Sequence, residues 1–138
     1  EKILGRKRYF MFYLISGIVA SLVFVFLSVF FGQSMLGERF FGSPEILALG
    51  ASGAIFGLAG LVTILVPRMK VLIFFIIPMP IWMAMVLFLG FFWVLSAFAG
   101  LPIANSAHFG GFLAGIVYGV YLKNKYKRKT EYIRRAFS

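Results

Sequence analysis

The sequence predicts an all-α protein, a transmembrane helical bundle with four spans. Three observations support this fold class. First, 62% of the 138 residues are hydrophobic and 13% are charged, whereas soluble domains are about 45–50% apolar and about 25% charged. Second, four long apolar segments are separated by short breaks that contain polar residues, glycine or proline. Third, the basic residues cluster in alternate breaks, as expected when they share one side of a membrane.

Segment length defines the four spans, because a membrane helix needs about 20 mostly apolar residues. The segment from Val71 to Gly100 is long for one span and short for two. Proline belongs in the first turn of a helix, so Pro78 and Pro80 make Val71–Met79 an interfacial lead-in to the third span. One membrane domain therefore contains spans at about residues 9–31, 46–66, 80–98 and 103–122, followed by a basic tail at 123–138.

The charges predict how the chain lies in the membrane. With four spans, every lysine and arginine except Arg39 falls on one side, and the positive-inside rule makes that side cytoplasmic. Both chain ends are then cytoplasmic, and we expect a multi-pass protein of a prokaryotic inner membrane. The net charge of +10 is interpreted as membrane orientation and headgroup contact, so the lipid bilayer is the expected partner and nucleic acid is not.

The composition excludes several kinds of active site. The chain contains no cysteine and no aspartate, and its acidic residues are Glu1, Glu38, Glu45 and Glu131. Without cysteine there is no disulfide or thiol site. So few carboxylates disfavour both a metal cluster and a Ser/His/Asp triad. We expect neither a metal nor a cofactor.

Two polar residues lie at matching depths within the predicted spans. Ser52 is six residues past the start of the second span, about 9 Å below its outer end, and His108 is five residues past the start of the fourth, about 7 to 8 Å below. Ionisable groups inside membrane spans are rare and usually functional. Taken singly, Ser52 could be a packing residue, and His108 could make a structural hydrogen bond or belong to a proton path.

Glycines favour a contact between these two residues. Gly53 and Gly57 follow Ser52, while Gly111 and Gly115 follow His108. Small residues four apart let helix backbones approach closely, which predicts that the second and fourth spans pack through these glycines. The serine hydroxyl would then lie within reach of a histidine nitrogen, as nucleophilic catalysis requires. A transporter with a histidine relay is disfavoured, because relays need several ionisable residues.

Both motifs resemble those of the rhomboid family of intramembrane serine proteases. The nucleophile motif G-x-S-G, with a further glycine four positions on, reads GASG at 50–53 followed by Gly57. The histidine motif A-H-x-x-G-x-x-x-G reads AHFGGFLAG at 107–115, and the preceding Ala104-Asn105 is also similar to the family. The resemblance extends over nearly the whole chain up to Leu122.

The resemblance implies roles for individual residues. Ser52 would be the nucleophile and His108 the general base, a dyad that needs no aspartate. The backbone at Ser52 and Gly50 would contribute to the oxyanion hole. Phe56 would place its ring against the imidazole, at a position where the family most often has tyrosine.

The resemblance also implies a larger protein. Rhomboids have a six-helix core, and the four spans here correspond to its third to sixth helices. The first two helices, including the second-helix histidine and asparagine that complete the oxyanion hole, would come from the same protein or from a partner chain. The implied function is cleavage of transmembrane segments of other membrane proteins. The alternative is a non-catalytic rhomboid-like module that binds transmembrane helices, but the presence of both serine and histidine favours the protease.

Overall fold

The computed structural model describes residues 4–45, 51–73, 76–99 and 104–137. These residues form a mostly helical bundle, in the order α1 (Arg6–Phe31), α2 (Met35–Phe41), α3 (Ser52–Leu65), β1 (Lys70–Ile73), β2 (Ile77–Pro80), α4 (Ile81–Ala99), α5 (Asn105–Lys125) and α6 (Lys127–Ala136).

The described residues are mostly helical, as the all-α prediction expected, but the lead-in to α4 is a β-hairpin. Strands β1 and β2 are antiparallel, with Lys70 opposite Pro80 and Ile73 opposite Ile77. Pro78 and Pro80 cannot donate a hydrogen bond and disfavour a helix interior, whereas an edge strand tolerates them. The hairpin ends directly at Ile81, so α4 begins one residue after the predicted start of the third span.

Helices α1, α3 and α5 pack together and form the centre of the bundle. The buried residues of α1 recur every four positions along one face, at Phe12, Ser16, Ala20, Phe24 and Ser28. The opposite face carries large, exposed apolar side chains, such as Leu22 at 63% exposure and Phe30 at 66%. An apolar outer surface of this extent is suited to lipid rather than to water.

Helix lengths agree only in part with the predicted spans. Of the helices in the described ranges, α1 and α4 are long and apolar enough to cross a membrane, and α3 is apolar but has 14 residues. The predicted second span began at residue 46, but the helix begins at Ser52, and residues 46–50 lie outside the described residues. Helix α5 continues to Lys125, past the predicted end at residue 122. The count of four spans stays a prediction.

Two short helices occupy segments that were predicted as a loop and a tail. In α2, the hydroxyl of Ser34 caps the first turn by accepting a hydrogen bond from the backbone N–H of Gly37. In α6, Thr130 and Ile133 are buried against the bundle while the basic side chains face outward. The basic tail is therefore an amphipathic helix docked on the bundle.

Most of the described basic residues lie at one end of the bundle. The start of α1 and the end of α5 border the same groove, with Arg8 and Lys125 in its wall. The end of α3 borders a second groove with Lys123 and Lys127. Arg39, on α2, lies at the opposite end, where its carbonyl accepts a hydrogen bond from Ser96 of α4. The bundle thus has one strongly basic end.

Candidate active site

The structure brings Ser52 and His108 together at the end of the bundle opposite the basic one. Ser52 is the first residue of α3, and His108 lies in the first turn of α5. The Ser52 Oγ and His108 Nε2 atoms are 3.0 Å apart, at hydrogen-bonding distance. Although the two residues are 56 positions apart in the chain, their geometry is that of a nucleophile beside a base.

Glycines on α3 and α5 make this approach possible. A Cβ atom on Gly111 would overlap the carbonyl oxygen of Gly53, and one on Gly115 would overlap that of Gly57. Backbone atoms cannot move aside as a flexible side chain can, so only hydrogen fits at these positions. The four predicted packing glycines therefore lie in the contact between the two helices.

The same helix α3 is also packed closely against α1. A Cβ atom on Gly53 would lie 2.6 Å from the Cβ of Ala20, and one on Gly57 would lie 2.6 Å from the Cβ of Ser16. Since α3 is enclosed by neighbours on two sides, its first residue Ser52 has a well-defined position relative to α5.

Two aromatic rings surround the imidazole of His108. The ring of Phe56, one turn after Ser52, is stacked on the imidazole with centroids 4.5 Å apart and planes at 22°. The ring of Phe92, on α4, contacts it at 5.8 Å and 51°. Phe56 thus occupies the position that the resemblance assigns to an aromatic residue, and Phe92 is a second contact that the sequence reading missed.

The remaining imidazole nitrogen, Nδ1, is buried and has no hydrogen-bond partner among the described residues. A neutral histidine accepts a proton at Nε2 only when the hydrogen is carried by Nδ1. No described carboxylate is hydrogen-bonded to Nδ1.

The start of α3 offers a backbone donor next to the hydroxyl. The N–H groups in the first turn of a helix have no partner within the helix, and the N-cap residue Ala51 makes no side-chain cap. The helix dipole adds partial positive charge there. The N–H of Ser52 is thus suited to stabilising negative charge, while Gly50, the other predicted contributor, lies outside the described residues.

Hydrogen bonds fasten α2 over this end of the bundle. Three successive carbonyls at the end of α2 accept from side chains of α4 and α5: Arg39 from Ser96 at 3.0 Å, Phe40 from Trp93 at 2.9 Å, and Phe41 from Ser106 at 2.7 Å. Carbonyls at a helix C-terminus lack intrahelical donors, so these bonds satisfy them.

Asn105 links α4 to α5 beside the histidine. Its side-chain amide donates to the carbonyl of Phe92 at 3.3 Å, and the Phe92 ring contacts His108. The sequence reading noted Asn105 only as similar to the family. The available signal was its polarity, since Ser96, Asn105 and Ser106 are polar residues beside or within long apolar segments.

The described residues hold no group of three histidine, cysteine, aspartate or glutamate side chains that could bind a metal ion. The chemical groups that converge at the site are the hydroxyl of Ser52, the imidazole of His108 and the backbone at the start of α3.

The structure is a mostly helical bundle in which a serine hydroxyl lies beside an imidazole at the ends of two helices, and comparison with known proteins identifies its family. The Rhomboid domain profile matches residues 1–125. The chain belongs to the rhomboid family, as its two motifs predicted.

A similar protein is the yeast "Rhomboid protein 1, mitochondrial" of Saccharomyces cerevisiae, which is 28% identical over 129 residues. The match covers 93% of this chain and 35% of the yeast protein, so the chain spans about a third of the length of this relative. No solved structure matches the chain.

Proposed function

We propose that this chain carries the catalytic dyad of an intramembrane serine protease, with Ser52 as the nucleophile and His108 as the general base. The observation that carries the proposal is the 3.0 Å separation of Ser52 Oγ and His108 Nε2. Family membership supports it, because the Rhomboid domain profile matches residues 1–125, a range that contains both motifs. Phe56 supports it further by holding the imidazole plane through stacking.

The proposed reaction is hydrolysis of a peptide bond in two steps. Ser52 Oγ attacks the carbonyl carbon while His108 Nε2 takes the hydroxyl proton, and the carbonyl oxygen becomes negatively charged near the N–H of Ser52. When the C–N bond breaks, His108 gives its proton to the departing amine. Water then attacks the acyl-serine with His108 again as base, which releases the carboxylate product and restores the hydroxyl.

The short length of α3 supports a site within the membrane but near its surface. Its 14 residues extend about 21 Å, whereas the hydrocarbon core is about 30 Å thick. If the end at Leu65, just before Arg68, lies at one boundary, Ser52 lies about 9 Å below the other. Water can reach that depth from outside while a substrate helix arrives from lipid.

The proposed substrates are transmembrane segments of other membrane proteins, cut near the end of the segment on the Ser52 side. A serine can attack a backbone carbonyl only after the substrate helix unwinds locally. Segments rich in glycine and other poor helix formers unwind most readily. The first two core helices, supplied by the rest of the protein or by a partner chain, would complete the oxyanion hole.

The proposed orientation places the basic end of the bundle in the cytoplasm of a prokaryotic cell. The positive-inside rule supports this orientation, because that end carries Arg8, Lys123, Lys125 and Lys127. The chain has no cysteine, so single cysteines at Ser34 and Ser138 can be labelled cleanly. We expect an impermeant maleimide added to intact cells to label the first and spare the second, whereas the reverse pattern would contradict the orientation.

The catalytic proposal is tested by labelling the full-length protein in membranes with a fluorophosphonate. We expect labelling of the wild type, none of Ser52→Ala, and strongly reduced labelling of His108→Ala. Ser21→Ala is the matched control, because Ser21 is exposed on α1 and donates only to its own helix at Gly17. Its labelling should equal that of the wild type.

Two results would overturn the proposal or part of it. Equal labelling of the wild type and Ser52→Ala would remove Ser52 as the nucleophile and favour the non-catalytic module that binds transmembrane helices. Full labelling of His108→Ala with loss in Ser52→Ala would leave the nucleophile in place and remove the base.

A further inference from the structure

A long apolar groove runs along the outside of the bundle between α1 and α5, starting at the basic end. Its volume is about 920 Å³, within the range of about 300–1,000 Å³ that is typical of small-molecule sites. Its apolar walls include Met11, Ile15 and Val117, and Ala114 leaves room in the middle.

The groove has a closed end and an open end. It closes where Gly110 meets Val23, since a Cβ atom on Gly110 would lie 2.6 Å from the Cβ of Val23. It opens between Arg8 and Lys125, which are each 15 positions from the closed end. That distance is about 22 Å along either helix, longer than one leaflet of a hydrocarbon core that is about 30 Å thick.

The inner wall is ordered by aromatic stacking. The rings of Phe12 and Tyr118 are stacked at 4.7 Å, and Tyr118 is stacked on Tyr121 at 6.1 Å. The outer rims remain open, with Met11 at 60% exposure and Val117 at 69%. A groove that is apolar, long and open along its side is suited to an extended hydrocarbon chain.

Two cations, Arg8 and Lys125, border the open end. Lys125 donates to the hydroxyl of Tyr121 at 2.7 Å, and it lies 5.2 Å from the ring of Tyr121. Arg8 is close enough to act electrostatically on Lys125. Among the described residues, the ion pairs are those of Glu131 with Arg134 and Arg135, so Arg8 and Lys125 have no acidic partner there.

We propose that this groove binds one anionic phospholipid. Its phosphate lies between Arg8 and Lys125, where it offsets the repulsion of the two cations, and one acyl chain lies along the groove towards Gly110. The tyrosine hydroxyls of Tyr121 and Tyr126 border the headgroup, at the level where tyrosines favour the membrane interface.

The lipid site goes beyond the proposed protease and is independent of it. His108 and Lys125 are 17 positions apart on α5, which is about 26 Å. Loss of lipid binding would therefore leave the Ser52–His108 contact in place, and failure of the protease proposal would leave the lipid site untouched.

The test is native mass spectrometry of the purified full-length protein, titrated with dioleoylphosphatidylglycerol or dioleoylphosphatidylcholine. We expect the wild type to prefer phosphatidylglycerol. The double variant R8Q/K125Q should lose about tenfold in affinity for phosphatidylglycerol, because each cation contacts the anionic headgroup, and should bind phosphatidylcholine as before.

The matched control is R68Q/K70Q, which removes the same charge from the basic end outside the groove. We expect its affinity for phosphatidylglycerol to stay within about twofold of the wild type. Ala114→Phe keeps every charge but fills the middle of the groove, so it should weaken binding of both lipids.

Equal losses in the two double variants would show general attraction to a basic surface and would overturn the site. Unchanged affinity in R8Q/K125Q would overturn the headgroup contact, and unchanged affinity in Ala114→Phe would overturn the groove as the position of the acyl chain.

Discussion

Helices α4 and α5 are similar in length but are joined to the bundle in different ways. In α5, buried residues run along most of the helix: Asn105, Ser106, Ala107, Gly110, Gly111, Gly115, Gly119 and Leu122. In α4 the buried residues are Ile81, Ala84 and Ser96. A Cβ atom on Gly111 or Gly115 of α5 would overlap backbone atoms of α3, whereas one on Gly90 of α4 would meet nothing within 4 Å.

The difference shows which helix determines the geometry of the dyad. Helix α5 is held against α3 by close backbone contact at Gly111 and Gly115, so His108 keeps its position relative to Ser52. Helix α4 is fastened mainly near its two ends, by the bond from Ile81 N–H to the Met69 carbonyl at 2.9 Å and by the bonds of Trp93 and Ser96 to α2. It contributes Phe92 to the site but not the dyad itself.

The largest expected effect comes from replacing glycine by leucine in α5, and the same replacement in α4 is the comparison. Gly115→Leu places a side chain against the backbone of Gly57 and Leu61, so it should lower the free energy of unfolding by about 3 kcal/mol and abolish fluorophosphonate labelling of Ser52. Gly90→Leu on α4 is the matched control, and it should change both quantities little. Both are measured on the full-length protein in detergent, by unfolding titration and by labelling. Normal labelling of Gly115→Leu would contradict the packing argument.

A smaller effect is expected from the aromatic contacts of His108. Phe56→Ala removes the stacked ring at 4.5 Å, and such pairs contribute about 0.5–1.5 kcal/mol, so the labelling rate should fall by about 2- to 13-fold. Phe56→Tyr keeps the ring and should retain the rate. Phe92→Ala removes the more distant, tilted ring and should reduce the rate less than Phe56→Ala. A larger loss from Phe92→Ala would show that α4 contributes more than α3 to positioning the imidazole.

The smallest effect concerns the attachment of α4. Trp93→Phe removes the N–H donor to the Phe40 carbonyl, which should cost about 1 kcal/mol of stability and leave Ser52 labelling close to that of the wild type. Trp82→Phe is the control, because Trp82 is exposed on the same helix. Thermal unfolding of the two variants measures the difference. If both variants were equally stable, the α2–α4 hydrogen bond would contribute nothing.

The parts of the site that could be predicted follow from local sequence. Phe56 lies four positions after Ser52, so helical periodicity places both on one face. The resemblance to the rhomboid family predicted that its ring lies against His108, and the structure has the two rings stacked. The packing glycines were predictable because small residues four apart mark a close helix contact. Gly53 and Gly57 do meet Gly111 and Gly115 across α3 and α5.

The parts that were missed depend on segments far apart in the chain. Trp93 bonds to Phe40 across 53 positions and Ser106 to Phe41 across 65, and neither pairing has a local pattern. The sequence predicts only an interfacial lead-in where the structure has the hairpin of β1 and β2. Apolar residues with two prolines do not distinguish a strand from an interfacial coil. Helices α2 and α6 were read as a loop and a tail because their segments are short or highly charged.

The sequence by itself determined that the chain belongs in a membrane, which residue types can carry chemistry, and that the chain is a rhomboid. These properties depend on composition, on charge distribution and on motifs within single helices. Only the tertiary structure decided that Ser52 begins its helix, that Phe92 and Asn105 lie beside His108, and that Arg8 and Lys125 share one groove. The physical reason is that the register and angle of helix packing determine which side chains on different helices become neighbours. Backbone contacts such as that of Gly111 with Gly53 fix this register and angle.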